Sequence, residues 1–252
     1  MARRRLGAVL LLRGRVAAEV DGLRRACGDT SLANVPGHIT LVPPVNVHED
    51  DLPAALARVR AAAASVRGPI EVTLGPPATF SPVNPVLYLE VGGLGLEAVH
   101  RLRTTVFAYP LERTQSWDYV PHVTLADNAS PERIAAGLVA LADYRATATF
   151  ERVHLLEESA DRSWHVLADA PLGPADVVGR GGFEVELTTS DSLDPEAATF
   201  LATRDVEPGD APYVVARHRW KVVGVADADQ TTVAPEHEAH GVADLLARRR
   251  DS

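Results

Sequence analysis

Cysteine is almost absent from this chain: Cys27 is the only one in 252 residues. No intrachain disulfide can form, and no cysteine-rich metal site is possible. A cytoplasmic protein is the simplest expectation. Lysine is as scarce, with Lys221 the single example. Long apolar runs are also missing. The longest, Leu6 to Leu12, falls far short of the roughly 20 residues that cross a bilayer. It follows Arg3, Arg4 and Arg5 as the apolar part of a signal peptide would. Arg13 and Arg15 interrupt it at once, however, and no small-residue cleavage site follows. It is expected to be a first buried strand, with no membrane association.

Excess positive charge is lacking too. The net charge is −9, of which residues 1–175 carry −2 and residues 176–252 carry −7. Neither part is a basic surface that coats nucleic acid. An RNA substrate would have to be gripped locally, at one phosphate and a stacked base. With 46% hydrophobic and 23% charged residues, the chain is otherwise an ordinary globular composition.

Short apolar runs alternate with amphipathic stretches over the first 170 residues. Strands are predicted at 6–12, 38–42, 70–74, 86–91, 122–125, 150–156 and 164–168, and helices at 16–26, 51–66, 95–107 and 131–142. Ser130 with Pro131 makes a good helix start, and Asp50 or Asp51 before Pro53 suggests another. The mixture, with hairpin-like spacing late in the segment, argues for an α+β fold. Pro171, Gly173, Pro174, Gly179, Gly181 and Gly182 then crowd together as a linker would. The expected division is a domain at 1–172, a linker at 173–182 and a small α/β unit at 183–252. That unit should hold a strand near 183–187, a helix near 195–203, two strands flanking Lys221 and a terminal helix near 241–249.

One internal repeat carries chemistry. Pro36-Gly37-His38-Ile39-Thr40-Leu41 and Val120-Pro121-His122-Val123-Thr124-Leu125 share the pattern His-apolar-Thr-Leu, and each falls on a predicted strand. Residues i and i+2 of a strand share a face. His38 and Thr40 therefore project together, as do His122 and Thr124, while the apolar residues between them turn inward. If the two strands lie side by side, two imidazoles and two hydroxyls converge, a set suited to a phosphoryl group. One histidine can serve as general base and the other as general acid. The hydroxyls can donate to non-bridging oxygens. Which histidine takes which role is left open by the near-equivalence of the motifs.

These motifs resemble those of the 2H phosphoesterase superfamily, and their context is similar to its 2′-5′ RNA ligase (RNA 2′,3′-cyclic phosphodiesterase) branch. The resemblance covers roughly residues 5–170, including Val35-Pro36-Gly37-His38-Ile39-Thr40-Leu41-Val42, Tyr119-Val120-Pro121-His122-Val123-Thr124-Leu125, the Phe80–Val91 segment and Trp164-His165-Val166-Leu167. It implies a bilobal α+β fold, with two pseudo-symmetric antiparallel-sheet lobes around a central cleft. It also implies hydrolysis of cyclic phosphates or 2′-5′ linkages with no metal and no cofactor. His38, Thr40, His122 and Thr124 are the expected catalytic residues. RNA ends or a small cyclic nucleotide are the expected substrates, and a monomer the expected state. A nucleotide-phosphate binding module without catalysis is the rival from another class.

Around the motifs, Tyr119 is a candidate for stacking on a base, with Trp117 as its neighbour, and Arg152 and His154 are candidate substrate contacts. Arg113 could touch phosphate, and His165 could line the cleft. His48 beside Glu49, Asp50 and Asp51 looks like a solvated helix start, and His100 like a helix-surface residue. His237 and His240 have His-x-x-His spacing without a third ligand, a weak zinc signal. Residues 183–252 more weakly resemble part of a GNAT acetyltransferase domain, through Tyr213–Arg217, Val222–Ala226 and Val233–Leu246. That family's turn at a helix N-terminus holds a coenzyme A pyrophosphate. Here Gly241 and Ala243 match, but Glu238 stands where a basic or amide residue is expected and Ala239 replaces a glycine. The tail is expected to be a truncated accessory unit. An acyltransferase with a phosphoesterase fold attached is the third alternative.

Overall fold

The computed structural model describes residues 2–115, 117–173, 177–178, 183–218 and 221–251. The chain divides into two compact units, Met1–Gly173 and Pro174–Ser252. Most of the stretch read as a linker, 173–182, lies outside the described residues. Val177–Val178 within it form a short strand.

The first unit is one antiparallel eight-stranded sheet with helices on one face. Its strands are β1 (Arg3–Leu11), β2 (His38–His48), β3 (Ile70–Thr79), β4 (Leu87–Gly92), β5 (His122–Ala126), β6 (Ala146–Phe150), β7 (Arg152–Glu158) and β8 (Trp164–Pro171). Its helices are α1 (Gly14–Ala26), α2 (Leu52–Ala64), α3 (Leu96–Val106) and α4 (Pro131–Ala140). The strand order is β6-β3-β4-β5-β2-β1-β7-β8. The segments β1-α1-β2-α2 and β4-α3-β5-α4 repeat one plan, and each puts its motif strand at the inner edge of a four-stranded half. The halves meet where β2 and β5 pair, through Ile39 opposite Val123.

Alternation along these strands buries Ile39, Leu41, Val123 and Leu125 completely. The helices cover that same face. Val20 of α1 comes close to Gly37, where an added Cβ would fall 3.2 Å from a Leu12 methyl and 3.4 Å from Val20. That crowding explains a glycine directly before His38. On α4, Gly137 similarly sits against Leu87 of β4. The opposite face is left to the motif histidines and threonines. The Leu6–Leu12 run is a buried part of the sheet, as β1 and the residue after it.

Two expectations need correction. The predicted strand 150–156 is two strands that break at Glu151: β6 pairs with β3 in one half and β7 with β1 in the other. Asp51 precedes α2, but its carboxylate makes no cap. It accepts instead from the Tyr109 hydroxyl at 2.7 Å. Ser130 does cap α4, accepting from the Arg133 N–H.

The second unit is a five-stranded antiparallel sheet, β9 (Val177–Val178), β10 (Glu184–Ser190), β11 (Tyr213–His218), β12 (Lys221–Ala226) and β13 (Thr231–Val233), in the order β13-β12-β11-β10-β9. Helices α5 (Pro195–Ala202) and α6 (Val242–Arg250) accompany it. Two small cores fill it, one around Val214, Val223 and Leu246 and one around Phe200, Leu201 and Val225. Arg217 is buried and ion-paired to Asp194 at 2.5 Å. Among the described residues, no helix is long and apolar enough to cross a membrane.

Candidate active site

The pairing of Ile39 with Val123 fixes what the two motifs can do together. Directly opposite residues of an antiparallel pair share a face. Continued by one residue each way, this register sets His38 opposite Thr124 and Thr40 opposite His122. The two histidines thus lie on one diagonal and the two threonines on the other, all four half-buried on the face without helices. The twofold repeat in sequence has become a local twofold arrangement of side chains.

Each imidazole is oriented by its own chain. The Nδ1–H of His38 donates to the Pro36 carbonyl at 2.7 Å, and that of His122 to the Val120 carbonyl at 2.8 Å. A carbonyl only accepts, so the proton sits on Nδ1 and Nε2 keeps its lone pair. Among the described residues, neither Nε2 nor the hydroxyl of Thr40 or Thr124 has a protein partner.

The surroundings break the symmetry. Burial pushes the His38 imidazole down, the bond to Pro36 opposes this, and the nearby Arg24 and His122 charges push further, to about 4. Burial also lowers His122, against its bond to Val120. Arg24 is 3% exposed. It donates to Asp29 at 2.7 Å and to the Val35 carbonyl at 3.0 Å, directly before Pro36. Burial alone would raise the Asp29 carboxyl, but bonds from the Ser31 N–H and hydroxyl and from Arg24 hold it below the usual carboxylate range. A buried arginine therefore fastens the entry to the first motif and places a cation near His38.

The second motif has a different anchor. Arg103 of α3 is buried against the Phe107 ring, 3.3 Å from its centroid, and donates to Gln115 at 2.6 Å. The Tyr119 ring lies 5.1 Å from the same guanidinium and 5.6 Å from the His100 ring. Its hydroxyl donates to the Thr40 carbonyl at 2.9 Å, tying the entry of one motif to the strand of the other. Burial, partly offset by Arg103, raises the phenol and keeps it a donor. Tyr119 thus makes these contacts within the protein, and His100, exposed on its helix, sets its ring edge-on to it.

The aromatic side chains beside the site are ones the sequence reading did not single out. Phe80 and Tyr88 stack with centroids 4.2 Å apart, and both rings lie about 5 Å from His122. Tyr88 stands opposite Thr124, and Glu90 opposite His122. The signal was available in the period-two alternation of β4, which puts Tyr88 and Glu90 on one face.

His154 and Arg152 also reach this face, on β7. His154 pairs with Val9, which pairs with Thr40. His154 is buried, and Arg152 is held by Asp169 at 2.5 Å. The remaining candidates are scattered. Trp117 is exposed, and Arg113 donates to the Pro44 carbonyl at 3.2 Å. His165 lies exposed beside the β7–β8 hairpin turn, bonded to Ser163. His48 ends β2. In the second unit, the rings of His218 and His240 stack on Phe183, with His237 close by. Among the described residues, no group of three or more histidine, cysteine or acidic side chains could hold a metal ion.

Comparison with known proteins identifies the family. Residues 13–162 match the family model described as the 2′-5′ RNA ligase superfamily. The chain belongs to the 2′-5′ RNA ligase superfamily, a class of 2H phosphoesterases. A Bacillus pumilus protein named as a candidate phosphoesterase is 28% identical over 167 residues, covering 66% of this chain and 96% of its own. One from Bacillus licheniformis is 27% identical over 147 residues, covering 58% and 85%. Among solved structures, the Thermus thermophilus protein TT0787 is 21% identical with a TM-score of 0.48, covering 67% of this chain and 97% of its own. Escherichia coli LigT, solved with 3′-AMP, is 19% identical with a TM-score of 0.47, covering 69% and 100%.

Proposed function

We propose that this protein hydrolyses a cyclic phosphodiester, with 2′,3′-cyclic phosphate RNA ends or related small cyclic or 2′-5′ phosphodiesters as substrates. The observation that carries this reading is the diagonal pairing of two Nδ1-anchored imidazoles with two unpartnered threonine hydroxyls. His38 is the base. It has the more strongly depressed pKa and a cation nearby, so its Nε2 lone pair takes the proton as water attacks phosphorus. His122 is the acid: as the imidazolium, with a second proton on Nε2 beside the Nδ1–H given to Val120, it passes the Nε2 proton to the departing ribose oxygen as the P–O bond breaks. Thr40 and Thr124 donate to the non-bridging oxygens. The products are one phosphomonoester and the freed hydroxyl. Phe80 and Tyr88 offer an aromatic wall beside His122 on which a base can lie.

The test is turnover of a panel of cyclic phosphates by the purified protein, with products identified by phosphorus NMR. A single phosphomonoester product from at least one substrate is expected. Stoichiometric binding of the same compounds without turnover would favour a binding module instead.

We further propose that residues 1–172 carry this activity and that 183–252 is an accessory unit. The turn leading into α6 carries Glu238 and Ala239 before Gly241, whose φ is 75°. A carboxylate there disfavours a pyrophosphate. A chain ending near Pro174 is expected to keep most of the phosphodiesterase activity. Calorimetric titration of the full chain with acetyl-CoA is expected to give no binding. Micromolar affinity, or a shortened chain that folds but is inert, would move the function to the other unit.

A further inference from the structure

The face bearing the two motifs is chemically lopsided. Outward from His122, across β4 and β3, come Glu90 and the rings of Tyr88 and Phe80. Outward from His38, across β1 and β7, the polar groups are mostly cationic or neutral. Leu11 lies opposite His38, and the Leu12 N–H donates to the Gly37 carbonyl at 2.9 Å. Arg13 comes next and by alternation returns to the face of Leu11 and His38. It is exposed, yet its direction is set: one terminal nitrogen donates to Nε2 of His154 at 3.1 Å. A guanidinium only donates, so that imidazole nitrogen accepts.

His154 is 3% exposed and stands two strands from β2. With neighbouring strands about 4.8 Å apart, its backbone is roughly 10 Å from the motif strand. Arg13 therefore leans away from the His38–His122 diagonal. Among the described residues it has no carboxylate partner. Asp169, directly opposite His154, is occupied by Arg152 at 2.5 Å. What remains is an exposed guanidinium, aimed by a buried histidine, on the motif-bearing face but displaced toward β7 from the place assigned to the reacting phosphate.

We propose that Arg13, aimed by His154, is a second anion seat that takes a phosphate the enzyme does not cleave, so that ligands with two phosphates on one nucleoside, or an RNA end with a neighbouring phosphodiester, are preferred over mononucleotides. This rests on the reading that His38 and His122 hold the first phosphate. The second seat works by charge-assisted hydrogen bonding, to which the planar fork of arginine is well suited. It gives a net-acidic protein a local grip on a polyanion.

Calorimetric titration of the full chain with adenosine 3′-monophosphate and adenosine 3′,5′-bisphosphate tests this without requiring turnover. The wild-type protein is expected to bind the bisphosphate about tenfold more tightly, the low end for a charged hydrogen bond at an exposed position. The margin should shrink as salt rises. Arg13→Gln, an exposed replacement, is expected to bind the two ligands equally. His154→Leu, with Arg13 present but no longer aimed, is expected to lose most of the margin. Equal wild-type affinities, or a margin that survives Arg13→Gln, overturn the second seat while leaving the first-phosphate reading standing. Failure of both nucleotides to bind overturns both.

Discussion

Replacing either motif histidine with alanine is expected to lower kcat on a cyclic phosphate by about 10²- to 10⁴-fold, the usual contribution of one general acid or base. The fold should survive, because neither imidazole is structurally committed. Each makes one hydrogen bond, to a carbonyl two residues earlier in its own chain. His122→Ala also removes contacts with Phe80 and Tyr88, so it should cost more stability than His38→Ala. The double variant should lose far less than the product of the two single losses, because half an acid–base pair does little without the other half. Thr40→Ala and Thr124→Ala each remove one donor of several and should cost on the order of 10- to 10³-fold. Single-turnover rates and melting curves on the same preparations check both halves of the claim. Either histidine variant turning over every compound in the panel at near wild-type rates would sink the two-histidine mechanism.

The motif residues were legible in the sequence because a strand has a period of two and their alternate positions are strictly apolar. Ile39, Leu41, Val123 and Leu125 could only face a core, which left His38, Thr40, His122 and Thr124 outside it. The pairing of the motif strands was not legible, since nothing local specifies that Ile39 meets Val123. The break at Glu151 was hidden for a related reason. Phe150 and Val153 are both buried, and only the sheet topology shows that their strands belong to opposite halves. Charged residues misled most. Arg13 looked like the end of an apolar run and Asp51 like a helix cap, while Arg24 and Arg103 carried no expectation. Arg13 engages His154 and Asp51 engages Tyr109, both far along the chain, whereas Arg24 is held by the nearby Asp29 and Val35; in either case a charged side chain gives no local sign of whether it is solvated or engaged. Tyr119 was singled out for its ring, yet its hydroxyl and the cation beside it fix its place.

Arg24→Met is expected to show whether the symmetry of the two motifs is broken by charge. Two effects should appear, and they can be separated. The first is on stability. The Arg24 and Asp29 side chains are 3% and 1% exposed. Removing one partner of a buried pair typically costs about 3–5 kcal/mol, because the remaining charge is stranded. Chemical denaturation reads this loss, and adding Asp29→Asn should recover much of it by removing the stranded charge. The second effect is on the reaction. His38 acts as a base only when neutral, so kcat/KM should fall as pH drops through about 4, the value that burial and then Arg24 impose on it. Without the Arg24 cation the folded-state pKa must rise, and the acid limb should move upward toward the ordinary histidine value of about 6.5. Arg24→Met/Asp29→Asn should therefore regain stability and still show the displaced limb. Arg24→Lys keeps the charge but not the fork that reaches both Asp29 and Val35, so it should lower kcat with the limb near its original place. A purely structural Arg24 would depress the rate at every pH and move no limb. If the stable double variant kept its acid limb at about 4, the cation would be irrelevant to the base, and the assignment of His38 as base and His122 as acid would lose its physical ground.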